Sequence, residues 1–208
     1  MEDIYKKIID RVCALFNKYG IRSITMDEIA SELGISKKTL YGYFTDKKEL
    51  VSKVLETEIE KKAVLFQKIR DQNLNAVEEI LEVNKLVLQL VREYNPGKQH
   101  DLKKYYPDLY EKIVSVQRTR MYHSMKTNLK KGKKEGLYRE DLDEDIISKL
   151  YISRMEVPMT NDFLTPEEFT SDRFIMQAFN YHIHGIASEK GLEVAKKLSL
   201  KTNKSKQP

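Results

Sequence analysis

Lys37, Lys38, Thr39, Tyr41 and Tyr43 fall within one short stretch, Ser36–Phe44 (SKKTLYGYF), which carries ammonium groups at one end and hydroxyls along its length. Such groups bring positive charge and hydrogen-bond donors, a chemistry suited to phosphates and to base edges. Taken alone they also describe an ordinary solvated basic helix face with buried aromatics. The flanking residues must decide between the two.

Those flanks specify a helix-turn-helix. Thr25 and Glu28 are spaced as a capping box, and Ile29, Ala30 and Leu33 form the inward stripe of a short helix that ends at Gly34. Only Gly34-Ile35-Ser36 separates it from the next helix, which Ser36 can cap, so two short helices must meet steeply across a tight turn. Leu40 should then point inward, and Gly42 should weaken the second helix by about 1 kcal/mol relative to alanine. Before this pair, Ile4, Ile8, Ile9, Val12, Leu15 and Phe16 recur at helical spacing up to a stop at Gly20; after it, Asp46 with Glu49 makes a second capping box for a long fourth helix reaching about Arg70.

The wider composition agrees with an all-α chain. In 208 residues there are 8 glycines and 5 prolines, with 33% charged and 40% hydrophobic residues. Helices are expected near Ala76 to Tyr94, from Pro107 to about Glu135, from Asp143 to Met155, after a Thr165 cap, and from Arg173 to Ala187, with a turn at Asn95–Lys98 (NPGK). No apolar run approaches the roughly 20 residues of a membrane span, and the N-terminus is charged and amphipathic, so a cytoplasmic chain without a membrane partner is expected. Cys13 stands alone and within the apolar pattern of the first helix, which favours a small core residue in a reducing compartment. A formal net charge of +5 and a pI near 9.0 permit nucleic-acid binding.

The segment from Ala14 to Leu55, with T-x-x-x-I-A, L-G-I-S, T-L-Y-x-Y-F and D-K-x-x-L at fixed offsets, resembles the DNA-binding domain of the tetracycline-repressor (TetR) family of bacterial transcription regulators. The resemblance covers about the first quarter of the chain. It implies a helix-turn-helix domain over residues 1–50 and a larger helical ligand-binding and dimerisation domain over 51–200; the lysine-bearing residues 201–208 read by composition as a basic disordered tail. The resemblance also implies a homodimer on a palindromic operator of double-stranded DNA, released as a repressor by a small molecule. Lys37, Lys38 and Thr39 would face the major groove, with Tyr41 beside it; Tyr43 and Lys47 resemble the family's phosphate-contacting pair, with Lys48 and Thr25 as further contacts.

Further along, Phe66, Tyr94, Tyr106, Tyr110, Met121, Tyr122, Met125, Met155 and Met159 suit either ordinary helical core or an adaptable apolar pocket. The two helices near residues 143–155 and 173–187 correspond in order to the family's dimer pair. This points to Ile147, Leu150, Phe174, Phe179 and Ile183, with Ile146, Met176 and Ala178, either at the interface or, for about half of them, in the protomer's own core, two roles that spacing alone does not separate. His182 and His184 lie on different sides of a helix, so no metal site is expected. No nucleophile triad or glycine-rich phosphate loop stands out, hence no enzyme and no cofactor. The alternative reading is a DNA-binding helical protein with no small-molecule switch, controlled by a protein partner.

Overall fold

In the computed structural model, which describes residues 2–92, 95–156 and 164–204, the N-terminal apolar period becomes α1 (Glu2–Tyr19), with Ile8, Ile9, Val12 and Phe16 buried. α2 (Met26–Glu32) and α3 (Lys37–Tyr41) follow, then α4 (Lys47–Arg70) and α5 (Ala76–Arg92). α6 (Pro96–Tyr105) leads into α7 (Pro107–Lys134), α8 (Glu144–Glu156), α9 (Pro166–Thr170), α10 (Asp172–Ile186) and α11 (Glu189–Lys204). Among the described residues there is no strand, only an isolated antiparallel bridge between Tyr138 and Ala187.

The chain divides into two compact units, Met1–Leu65 with Tyr94–Gln117, and Phe66–Glu93 with Arg118–Pro208. The first is organised around one apolar core. Ile29 and Ala30 of α2, Leu40 of α3, Phe44, and Leu50, Val51 and Val54 of α4 close over the α1 face, and Leu102 of α6 completes it. Burying a side chain of this size contributes about 1.5–3 kcal/mol, so a single leucine fixes the attitude of a helix as short as α3.

α6 departs from expectation. The turn anticipated at Asn95–Lys98 is instead its first turn: Asn95 caps it by accepting from Lys98 N, and Pro96 occupies a position where its missing N–H is harmless. Its partners hold it in place, since Lys98 Nζ lies 2.6 Å from both Glu58 carboxylate oxygens and Asn95 Nδ2 donates to the Asn17 carbonyl at 2.6 Å. Cys13 joins this group from α1. Its thiol donates to Glu58 at 3.1 Å, and burial, reinforced by that carboxylate, pushes its pKa up to about 11, an unreactive setting.

In the second unit, Ala76, Val77 and Ile80 of α5 pack with Met125 and Leu129 of α7 and with Phe179, Ile183 and Ile186 of α10. Tyr138 sits at its centre. Its hydroxyl lies 2.8 Å from Asn128 Oδ1 and 3.0 Å from the Ala76 carbonyl, which satisfies a phenol that would otherwise be costly to bury. Gly132 makes room for the ring, for a Cβ there would fall 2.0 Å from Tyr138 Cδ2.

The C-terminal boundary also shifts. α11 continues to Lys204, taking in the first residues of the tail expected at 201–208. The apolar stripe of Leu192, Val194, Ala195 and Leu198, packed on the second core, draws the helix on.

Candidate nucleic-acid interface

The helix-turn-helix is built from local hydrogen bonds. Thr25 N donates to Glu28 Oε2 at 2.7 Å while Glu28 N donates to Thr25 Oγ1 at 3.2 Å, closing the capping box. This reciprocal bonding, the backbone bond first, holds the Glu28 carboxyl below the usual range. Ile35 N then reaches back to the Ala30 carbonyl at 3.0 Å, with Gly34 at φ +64°, a left-handed conformation that suits glycine at this turn. Ser36 Oγ accepts from Thr39 N at 3.0 Å to start α3.

Two expectations about this region need adjusting. Gly42 lies at the C-cap of α3 with an ordinary right-handed φ of −72°, so α3 stops at Tyr41 and the cost of a glycine within a helix is not incurred. At the start of α4, Asp46 accepts from Glu49 N at 2.8 Å, but the Glu49 carboxylate accepts from Thr45 N at 2.6 Å rather than from Asp46, so the box is offset by one residue.

On α3 the inward and outward residues separate cleanly. Leu40 is 0% exposed, whereas Lys37, Lys38, Thr39 and Tyr41 are all exposed. Lys37 Nζ makes a solvent-facing ion pair with Asp27 at 2.6 Å, and Lys48 another with Asp108 at 3.5 Å; screened pairs of this kind contribute little and exchange readily for other anions. Tyr43 is half-buried, its ring 6.4 Å from both Tyr5 and Phe44.

Lys47 is placed differently from the other lysines. Its ammonium donates to the Ile21 carbonyl at 2.7 Å, with the Arg22 carbonyl at 3.4 Å, so it braces the turn between α1 and α2. Burial lowers its pKa against the pull of Asp101 and Glu28. Asp101 of α6 holds the same turn from its other side, accepting from Arg22 N at 2.8 Å. Sequence reasoning misses Asp101 and Arg22 because it reads the start of α6 as a turn.

The residues considered for a pocket fall into separate groups. Tyr106 and Tyr110 pack against the core of the first unit; Met125 is buried in that of the second. Phe66, Met121 and Tyr122 are half-buried, and the Tyr122 hydroxyl donates to Asp145, near Lys126. Tyr94 and Met159, and the side chain of Met155, lie outside the described residues.

The residues considered for dimerisation also divide. Phe179 and Ile183 are 6% and 2% exposed and serve their own protomer's core, a role that an apolar helical period does not distinguish from an interface. Ile147 packs partly on that core and Phe174 on Phe169, with ring centroids 5.4 Å apart. Leu150 is 60% exposed, joined by Ile146, Met176 and Tyr181.

Comparison with known proteins places this geometry. Residues 8–54 match the family described as bacterial regulatory proteins, tetR family. The chain is 24% identical over 185 residues to the uncharacterized HTH-type transcriptional regulator YvaF of Bacillus subtilis, covering 88% of this chain and 96% of that one. The fold matches a transcriptional regulator from Cytophaga hutchinsonii with a TM-score of 0.72 at 19% identity, over 88% and 98% of the two chains. It also matches a transcriptional regulator from Saccharomonospora viridis solved in complex with choline, with a TM-score of 0.66 at 17% identity, over 91% and 100%.

Proposed function

We propose that this chain is a DNA-binding transcriptional regulator of the TetR family, a homodimeric repressor released from a palindromic operator by a small, largely apolar ligand. The observation that carries the proposal is the division of α3. Leu40 locks the helix onto the first core while Lys37, Lys38, Thr39 and Tyr41 stay exposed on the side that would enter a major groove. Tyr43 and Lys48 supply phosphate contacts at the margins, and Thr25 and Lys47 hold the helices that present them. Lys47 reaches a phosphate only by leaving the carbonyls of the α1–α2 turn.

Dimerisation is assigned to the exposed apolar side chains of α8 and α10, Ile146, Leu150, Met176 and Tyr181. Two-fold pairing sets the α3 helices of the two protomers one DNA turn apart, roughly 34–36 Å, so a shift of a few ångströms suffices for release. α4 starts beside α3 in the first unit and ends in the second, giving a ligand held there a continuous element to bias. The ligand must bind the DNA-competent and released states with different affinity. A protein of the same fold solved with choline supports a small organic effector. A repressor of this kind works in the cytoplasm, alongside its DNA.

The test is fluorescence anisotropy of the full chain with the DNA flanking its own gene, across a salt series, compared with random DNA. Tight, salt-dependent preference for the flanking DNA, weakened by Tyr43→Phe, supports the reading. If an unbiased selection of binding sites also finds no preferred sequence, the reading fails.

A further inference from the structure

Two buried side-chain nitrogens lack a hydrogen-bond partner among the described residues: Arg154 Nε of α8 and His182 Nε2 of α10. Both border the same ring. The Arg154 guanidinium carbon stands 5.0 Å from the Tyr151 ring centroid, and the His182 ring centroid lies 4.9 Å from it. Arg154 also donates one Nη hydrogen to the Ala178 carbonyl, which ties the α8 side chain to α10 without neutralising its charge.

The cluster is unbalanced. Burial lowers the pKa of both Arg154 and His182; Tyr151 pulls that of Arg154 back up, Arg154 presses that of His182 further down, and among the described residues no carboxylate acts on either. A withdrawn cation without a counter-ion among the described residues is costly, and so is an unpartnered ring nitrogen beside it. One anionic oxygen accepting from Arg154 Nε and from His182 Nε2, with the ring in its Nε2–H tautomer, would remove both costs together. The surroundings indicate what carries that oxygen. Tyr151 packs against the second core, Ile152 beside it is 6% exposed, and Phe179, one turn before His182, is also 6% exposed. An apolar backing of this kind favours an organic acid over a hydrated inorganic anion.

We propose that Arg154, His182 and Tyr151 form the seat for the carboxylate of a small organic acid, and that this acid is the effector. The second clause rests on the ligand-released repressor proposed above; the first does not. Carboxylate binding at this seat draws α8 and α10 together through a shared charge.

Isothermal titration of the full-length protein tests it, using butyrate, octanoate and dodecanoate, the primary amide of each, and inorganic phosphate. At least one carboxylate should bind, its amide at least tenfold more weakly. Arg154→Gln should abolish that preference, and Arg154→Lys should retain part of it. The seat is overturned if no carboxylate binds, if amide and acid bind alike, if phosphate outcompetes every carboxylate, or if Arg154→Gln leaves acid binding intact. Because acid and amide are compared on the wild type, a variant that fails to fold does not shield the proposal. Sedimentation separates the other source of a carboxylate: if ligand-free Arg154→Gln falls from dimer to monomer, the anion belongs to a second copy of this chain and the small acid is excluded. Operator binding with and without the acid then separates the two clauses. An acid that binds through Arg154 and leaves DNA affinity unchanged keeps the seat and removes the effector role; release of DNA only by uncharged compounds, indifferent to Arg154, keeps the repressor and removes the seat.

Discussion

Lys37 and Lys38 on α3 and Arg154 on α8 are all cations, but water treats them differently. The lysines keep their hydration, and the one strong pair among them, Lys37 with Asp27, is itself solvent-facing. Arg154 is half-buried against Tyr151, with one nitrogen stripped of any partner among the described residues. Solvated cations attract a polyanion over a distance, gain from counter-ion release and lose their grip as salt rises. A desolvated guanidinium instead waits for one anion that fits, and bulk salt screens the contact far less. One chain thus carries two kinds of positive charge, suited by their hydration to different kinds of partner.

This contrast can be broken at its supports. Leu40→Ala removes the anchor that keeps the α3 lysines outward; a cavity at a site 0% exposed should cost about 2–5 kcal/mol in urea unfolding and take DNA binding with it. On the other side, the His182 imidazole is held down to about 4 by burial and by Arg154, whereas an unfolded chain protonates it near 6.5. Between those values the unfolded state binds the extra proton, so stability is full above pH 6.5 and falls as pH drops toward 4, by up to roughly 3 kcal/mol. Chemical denaturation of wild type and His182→Gln across that window should show the difference narrowing in acid.

Smaller effects sharpen the comparison. Lys37→Ala with Lys38→Ala should weaken operator binding by about 1–3 kcal/mol for each base edge no longer reached, and flatten the salt slope by about 1 for each phosphate no longer neutralised, with the thermal melt unmoved. Asp27→Ala should do least: it frees Lys37, leaves unfolding unchanged, and tightens operator binding by at most roughly fivefold, measured by anisotropy at low salt.

The helix-turn-helix could be read from sequence because everything that fixes it acts across a few residues: the Thr25–Glu28 box, the Gly34 turn, the Ser36 cap. α6 could not. Asn95, Pro96 and Gly97 spell a turn and a helix start equally well, and what selects the helix is distant, namely Glu58 for Lys98 and the Asn17 carbonyl for Asn95. Lys47 carries no local sign that the carbonyls of Ile21 and Arg22 will claim its ammonium. Phe179 and Ile183 share an apolar period that fits either a core or an interface. Arg154 and His182 sit on separate helices and follow no common spacing, so only folding brings their orphaned nitrogens to one ring.

α6 also bears on how this regulator can be recombined. Lys98, Asp101 and Leu102 give the DNA-reading unit part of its wall, and the chain reaches them only after leaving that unit at Leu65 and returning at Tyr94. The reading head is therefore not a cassette that one cut can lift out. Fused to a foreign sensor at residue 65 it loses the clasp on α1 and α4, so functional chimeras must transplant α6 with the helices it holds, and shuffling of such proteins must preserve that interleaving.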